Sequence, residues 1–196
     1  MTHKSLEYAG FYKIWKVDKR TGNSELIVDK KNTILYQGAD LLAKALAGVR
    51  YASISHMYVG YKTTNSIVGF TPPEIDKAYT NKFEDYNTVP AFTDLGFLRL
   101  PLAFSPAYLS TTNYDNNTVV FTSVVTSSSS PATEACAEFH DSGEADPSYL
   151  YEIALVASLD PTSMNSDLLF SRANFEPIVY DTNYNLTISW GINFTS

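Results

Sequence analysis

The segment that most constrains the fold is the strand-like run at residues 186–194. Its large apolar residues alternate without exception with small or polar ones: Leu186, Ile188, Trp190, Ile192 and Phe194 against Thr187, Ser189, Gly191 and Asn193. Successive side chains of an extended strand point to opposite faces, so this alternation predicts one buried and one solvent-facing side. We therefore expect a core strand of a half-exposed antiparallel sheet.

The composition favours strands and one domain. The chain has 196 residues, enough to bury a single sizeable core. Charged residues make up only 18%, against about 25% in a typical domain, while 14 Tyr and 11 Phe enrich the residue types that strands prefer. The net charge is −7, and basic residues occur at most in pairs such as Lys19-Arg20. Because phosphate binding needs a cationic surface, we expect no nucleic-acid partner.

The chain shows no membrane or secretion signal and one cysteine. No run approaches the roughly 20 apolar residues of a membrane helix, and the first residues lack an apolar targeting segment. Cys136 has no partner for an intrachain disulfide, and we interpret it as a buried small hydrophobe rather than an exposed thiol. We therefore expect folding in a reducing cytoplasm, with no membrane partner.

The pattern along the chain predicts many strands and one helix. Strands are expected at 11–18, 24–29, 53–61, 96–104, 118–126, 149–156, 168–172, 177–180 and 186–194. The first two form a hairpin candidate around Gly22, and Pro101 indicates an edge strand or a bulge. Strands joined by turns, without helices between them, predict a mainly β fold: an antiparallel β-sandwich or jelly roll with one helix and long loops.

The one convincing helix is predicted at about 33–47. Small or apolar residues recur there at near-helical spacing, Asn32 or Thr33 could cap its start, and Gly48 stands where a C′ glycine would end it. Gly38 costs about 1 kcal/mol relative to Ala inside a helix, so it indicates a later helix start or a close backbone contact.

The predicted organisation is one domain with an arm and a large loop. Residues 1–10 are short and polar and are predicted to form a flexible arm, followed by a single β-sandwich domain at 11–196. Between about 62 and 95 the strand pattern dissolves, which predicts a long surface loop.

Two local groups of residues could carry chemistry. The run His140–Asp146 contains one imidazole and three carboxylates, but it lacks an EF-hand spacing, so a solvated acidic loop is the simpler interpretation. Cys136, His140 and Asp141 are close in sequence, although a thiol and its base are usually brought together from distant positions. An ordinary structural cysteine beside a surface histidine is the preferred interpretation.

Glu152 and His56 are the remaining candidates. Glu152 interrupts an apolar strand, and a buried carboxylate needs a partner, for which Arg172 and Arg99 are available; a solvent-facing strand position is the other interpretation. His56 reads as a satisfied core or interface histidine. No phosphate-binding loop, HExxH, GxSxG or CxxC pattern occurs. We therefore expect no catalytic, cofactor-binding or metal-binding residues and no enzymatic activity.

Two separated blocks resemble small virion structural proteins of tailed bacteriophages. The first is Lys31–Gly48 followed by Ile54–Gly60, which is similar to an "N-x-I-L-x-x-G-x-x-x-L-A-x-x-L-A-G … I-x-x-M-x-V-G" pattern. The second, Leu168–Phe194, is similar to an "F-A-R … F-x-P-I/V … L-T-I-x-W-x-I-x-F" ending, with Ser171 in place of alanine. Residues 62–148 match no pattern of this kind.

The resemblance implies a non-enzymatic virion component without a cofactor. We expect a decoration or cement protein that binds assembled coat, present as a homo-oligomer in the virion after assembly in the host cytoplasm. Contacts are expected from the arm and from the 62–95 loop. The alternatives are a tail, neck or baseplate component, or a carbohydrate-binding module of a tail fibre. In the last case, tyrosines in loops would stack on sugars: Tyr61, Tyr79, Tyr86, Tyr108 and Tyr114.

Overall fold

The chain folds into eight antiparallel strands and one α-helix within the part that the structure describes. The computed structural model describes residues 7–48, 53–64, 94–102, 118–134, 136–160 and 162–195. The elements are β1 (Glu7–Asp18), β2 (Ser24–Ile34), α1 (Tyr36–Leu46), β3 (Ser53–Thr63), β4 (Leu95–Pro101), β5 (Thr118–Val125), β6 (Ser148–Ser158), a 3₁₀ turn (Met164–Ser166), β7 (Asp167–Val179) and β8 (Tyr184–Thr195). The predicted mainly β class with one helix is confirmed.

The strands form one sheet with two halves. The order is β4-β3-β6-β7-β2-β1-β8-β5, and every pairing is antiparallel. β2 pairs with β7 through only two residues, Thr33 and Ile34. We call β2-β1-β8-β5 half-sheet A and β4-β3-β6-β7 half-sheet B. Because the junction is so short, the sheet can curl there into a half-barrel.

The main core lies between the two halves. Trp190 of β8 is fully buried and stacks on Tyr12 of β1, with 5.9 Å between ring centroids. Tyr12 reaches across to half-sheet B, where its ring lies 6.3 Å from that of Phe175 and its hydroxyl donates to the Asn174 carbonyl at 2.8 Å. Burial raises the pKa of Tyr12 to about 12. The alternation predicted for β8 is confirmed from Leu186 to Ile192, whose inward residues are all buried.

Half-sheet B is also covered on its outer side. A second apolar cluster lies there, and it includes Tyr58, Tyr151 and the buried Cys136. The segment carrying Cys136 follows the free edge of β4, where Ala132 N–H donates to the Phe97 carbonyl at 2.8 Å. β6 is therefore buried along nearly its whole length. The prediction that the Pro101 strand lies at an edge is confirmed, since β4 is the outermost strand of its half.

The predicted start of the helix was wrong because of pairing with a distant strand. The helix was expected at about 33–47, but Thr33 and Ile34 are the last residues of β2 and pair with β7, so α1 begins at Tyr36. The predicted glycine end is confirmed, since Gly48 has φ +74°. Gly38 lies against β7, where an added Cβ would come within 2.0 Å of the Phe170 carbonyl oxygen.

Two further expectations change. The segments 168–172 and 177–180, expected as two strands, are one strand, β7, with a bulge at Phe175–Pro177 opposite Tyr151. Pro177 fits in that bulge because a residue outside the hydrogen-bonded ladder needs no N–H donor. β1 begins at Glu7, so residues 7–10 belong to a strand and not to the expected arm. Residues 1–6 and 65–93 lie outside the described part of the chain.

Candidate functional site

The acidic segment after Cys136 is tied to its own surroundings. The His140 ring contacts the Glu138 carboxylate at 3.2 Å, and this hydrogen bond raises the pKa of His140. The Asp141 carboxylate accepts hydrogen bonds from the Thr182 N–H at 2.7 Å and from its hydroxyl at 3.1 Å. Within the described ranges, no group of three or more His, Cys, Asp or Glu side chains is placed to hold a metal ion.

Cys136 is separated from the other candidate catalytic groups. Its side chain is 9% exposed, which confirms the interpretation as a buried hydrophobe, and its sulfur lies 3.5 Å from the Thr133 hydroxyl. The His140 ring nitrogens contact Glu138 and the Asp146 carbonyl instead. A thiol needs a base within about 3.2 Å to become a nucleophile. The structure therefore does not bring Cys136, His140 and Asp141 together as a catalytic group.

Glu152 forms a buried ion pair with Arg172, one of its two expected partners. Both side chains are about 1% exposed, and Arg172 Nη2 contacts Glu152 Oε1 directly. The two residues are diagonal neighbours on β6 and β7, because Glu152 pairs with Asn174 and Arg172 pairs with Ala154. The register thus places them side by side on the outer face of half-sheet B, underneath the covering segments.

Arg99, the other expected partner, belongs to a separate polar cluster on β3, β4 and β7. Its guanidinium binds both carboxylate oxygens of Asp167, at 2.8 Å and 3.1 Å. Tyr58 donates its hydroxyl proton to the same carboxylate. Burial alone would raise the pKa of Asp167, but the hydrogen bonds from Arg99 and Tyr58 outweigh it, and that pKa is lowered. Burial raises the pKa of Tyr58.

His56 is the fourth member of this cluster, and both of its ring nitrogens have hydrogen-bond partners. Arg99 Nη1 lies 2.9 Å from His56 Nε2, and His56 Nδ1 lies 2.9 Å from the Ser55 hydroxyl. A guanidinium can only donate, so Nε2 accepts and Nδ1 carries the proton that is directed at Ser55. The ring therefore cannot take a proton from Ser55, and burial together with the charge of Arg99 lowers the pKa of His56.

The tyrosines expected to bind sugars are only partly described. Tyr61 was expected in an exposed loop, but this is wrong: it lies in β3, is fully buried, and donates its hydroxyl proton to the Ala137 carbonyl. It points into the core because Met57, Val59 and Tyr61 share the inner face of β3. Tyr79, Tyr86, Tyr108 and Tyr114 lie outside the described residues.

The outer face of half-sheet A is the most distinctive surface among the described residues. Its side chains are aligned in rows across β2, β1, β8 and β5: Leu26–Trp15–Thr187–Val124, then Asp29–Lys13–Ser189–Thr122, then Lys31–Phe11–Gly191–Val120. Leu26 is 39% exposed and Val124 is 36% exposed, and Trp15 is half-buried. We call this surface the open face.

The open face carries three charged side chains, Lys13, Asp29 and Lys31. Lys13 Nζ lies 3.2 Å from the Asp29 carboxylate, its cross-strand neighbour. Exposed pairs of this kind contribute little to stability, about 0–1 kcal/mol. Lys31 is the third charged residue of the rows, and the remaining side chains are apolar or hydroxyl-bearing, apart from Gly191. Aromatic residues on a flat, weakly charged surface are typical of protein interfaces.

The sequence analysis did not identify the open face, although it contained a signal. Phe11, Trp15 and Val17 lie on one face of β1, while Tyr12 and Ile14 lie in the core on the other. When a strand has apolar residues on both faces, either other parts of the chain bury both faces or one face is available to bind a partner.

Comparisons with known proteins found no match for the chain. No family model matches it, and neither the curated proteins nor the solved structures include a significant match. Among the residues described, no helix combines the length and the apolar character needed to cross a membrane.

Proposed function

We propose that this chain is a non-enzymatic structural protein of a tailed-phage virion, which binds and stabilises assembled coat as a decoration or cement protein. The observation that supports an assembly role is the open face. Among the described residues, half-sheet B is covered on both sides, whereas on half-sheet A Trp15 is half-buried and Leu26 and Val124 are exposed. Tryptophan is enriched at the energetic centres of protein interfaces. The virion context comes from the sequence resemblance.

The mechanism is mass action on the assembled state. A subunit that binds only assembled coat lowers the free energy of that state and leaves the free coat subunits unaffected. Many weak contacts are sufficient, because neighbouring sites on a shell present a high effective concentration of partners. Such a protein needs a rigid block and an adhesive surface. The buried Glu152–Arg172 pair and the Arg99–Asp167 cluster supply internal polar bonds for such a block.

A tail, neck or baseplate component would use the same surface, and the choice between these and a coat-binding role is an outcome of the experiment below.

A carbohydrate-binding module of a tail fibre has one favourable observation, since Trp15 is flanked by Thr187 and by the Lys13–Asp29 pair. An indole ring with neighbouring hydroxyl groups can hold a sugar ring. Against this, the Trp15 row also contains Leu26, its direct neighbour on β2, and Val124 beyond Thr187, and neither offers a sugar a hydrogen bond.

Co-sedimentation tests the proposal. The purified chain is centrifuged with empty capsids, and separately with tails, from the virus that encodes it. We expect the chain to pellet with capsids. We also expect Trp15→Ala to lower the pelleted fraction, while Leu46→Ala, on the exposed side of α1, has no effect. A chain that stays in the supernatant with capsids and tails alike contradicts the proposal. Pelleting with tails alone favours the tail, neck or baseplate alternative.

A further inference from the structure

The open face has a ridge and a furrow beside each other. β1 presents large side chains outward, Phe11, Lys13, Trp15 and Val17, and β8 presents smaller ones next to them, Gly191, Ser189, Thr187 and Asn185. The Phe11 ring leans over Gly191, where an added Cβ would lie 2.1 Å from its tip. The furrow is therefore open mainly at Ser189 and Thr187.

We propose that the open face binds the open face of a second copy of this chain, related by a two-fold axis that runs parallel to the strands between β1 and β8. This places the ridge of each copy in the furrow of the other. Trp15 then faces Thr187 of the second copy, and Lys13 faces Ser189. The inference rests on the proposed assembly role and names the partner of this surface: the open face joins two copies, other surfaces of the dimer contact the coat, and the lower pelleting expected for Trp15→Ala then follows from loss of the dimer.

The charge distribution suits this arrangement. The same axis brings β2 opposite β5, so Asp29 faces Thr122, Leu26 faces Val124 and Lys31, at a corner of the patch, faces Val120. No charged side chain of the three rows meets a charge of the same sign. A two-fold axis across the strands, through the middle row, would instead place Lys13 against Lys13 of the other copy. A symmetric dimer needs a self-complementary patch, and of these two axes the one along the strands avoids the contact between like charges.

The size of the face sets the expected affinity. With strands about 4.8 Å apart and a rise of about 3.4 Å per residue, the face measures roughly 20 by 25 Å, or about 500 Å² on each copy. A standard stable interface buries about 800 Å² per partner. We therefore expect a weak dimer, with a dissociation constant of about 10 µM or higher. Such a dimer forms at the high local concentration of subunits on an assembled particle. Each bound dimer then makes twice as many contacts with the coat as a monomer.

The two tryptophans make the arrangement measurable. Trp190 is fully buried, so iodide quenching of fluorescence reports on Trp15. Sedimentation velocity is measured from about 5 to 500 µM, and iodide quenching at the two ends of this range. We expect the sedimentation coefficient to rise with concentration toward that of a dimer, and the quenchable fraction to fall in parallel.

Thr187→Lys is the decisive variant and Leu46→Lys its matched control. The first places a charge in the furrow of both copies, and we expect dimerisation to weaken about 100-fold or more. The second adds the same charge on α1, away from the open face, and leaves dimerisation unchanged. Thermal unfolding of both variants checks that the fold is retained.

Each outcome separates this inference from the proposed function. A chain that stays monomeric to 500 µM but pellets with capsids overturns the dimer and leaves the virion role standing. A dimer in which Trp15 stays fully quenchable, or which Thr187→Lys does not weaken, also overturns it. A dimer with Trp15 protected, in a chain that ignores capsids and tails, supports the inference while the virion role fails.

Discussion

Removing one partner of the buried Glu152–Arg172 pair is expected to destabilise the fold severely. Both side chains are about 1% exposed, so neither can reach water when the other is removed. Arg172→Met keeps most of the side-chain volume but leaves the carboxylate uncompensated, which typically costs 3–5 kcal/mol. In a chain of this length that corresponds to a fall in melting temperature of about 6–20 °C.

The variant should also acquire a distinctive pH dependence. Without the guanidinium, burial disfavours the charged form of Glu152, so its folded-state pKa rises above the unfolded value of about 4.3. The unfolded state then releases its proton first as the pH increases, and the native state of Arg172→Met loses stability above about pH 4.3. We expect the deficit relative to the wild type to be smaller at pH 5 than at pH 8.

Urea unfolding followed by far-ultraviolet circular dichroism measures both effects. Glu152→Met is the reciprocal single variant, and the double variant that combines it with Arg172→Met completes the double-mutant cycle. Because an apolar pair has no desolvation cost, we expect the double variant to lie within about 1–2 kcal/mol of the wild type. Single variants that cost less than about 1 kcal/mol, costs that simply add, or a deficit independent of pH would refute the reasoning.

Three further predictions concern local contacts. Burial and Arg99 lower the pKa of His56, so the stabilising contribution of its neutral ring is complete above about pH 6.5 and is lost as the pH falls below it. In His56→Gln, the free energy of unfolding measured in urea should therefore change less between pH 7.5 and 5.5 than in the wild type. An unchanged pH dependence would contradict this. Gly38→Ala should cost about 1–3 kcal/mol despite the better helix propensity, because its Cβ would meet the backbone of β7, whereas Gly48→Ala, in open space at φ +74°, should cost only about 1 kcal/mol; thermal unfolding compares the two. The Cys136 thiol should react with a thiol reagent only after unfolding, and rapid modification of the native chain would exclude a buried side chain.

Some of the fold follows from local rules that the sequence contains in full. The alternation from Leu186 to Ile192 decides which side of β8 is buried, because the period of two is a property of the extended backbone. Gly22 was expected in a hairpin turn and Gly48 at a helix end, and both have positive φ, because glycine has no Cβ to oppose it. The pairing of a carboxylate in an apolar strand with an arginine was likewise expected from Glu152, since a buried charge requires compensation.

The tertiary structure decided what covers each face and where some elements end. β1 and β6 both carry apolar residues on their two faces, yet the described part of the chain covers β6 twice and leaves Trp15 on β1 half-buried. Pairing with β7 keeps Thr33 extended, although it precedes a helical pattern. The register of β6 on β7 selected Arg172 for Glu152 and left Arg99 to Asp167. Side-chain period is local to a few residues, whereas cover, register and partner choice depend on segments that lie far apart along the chain.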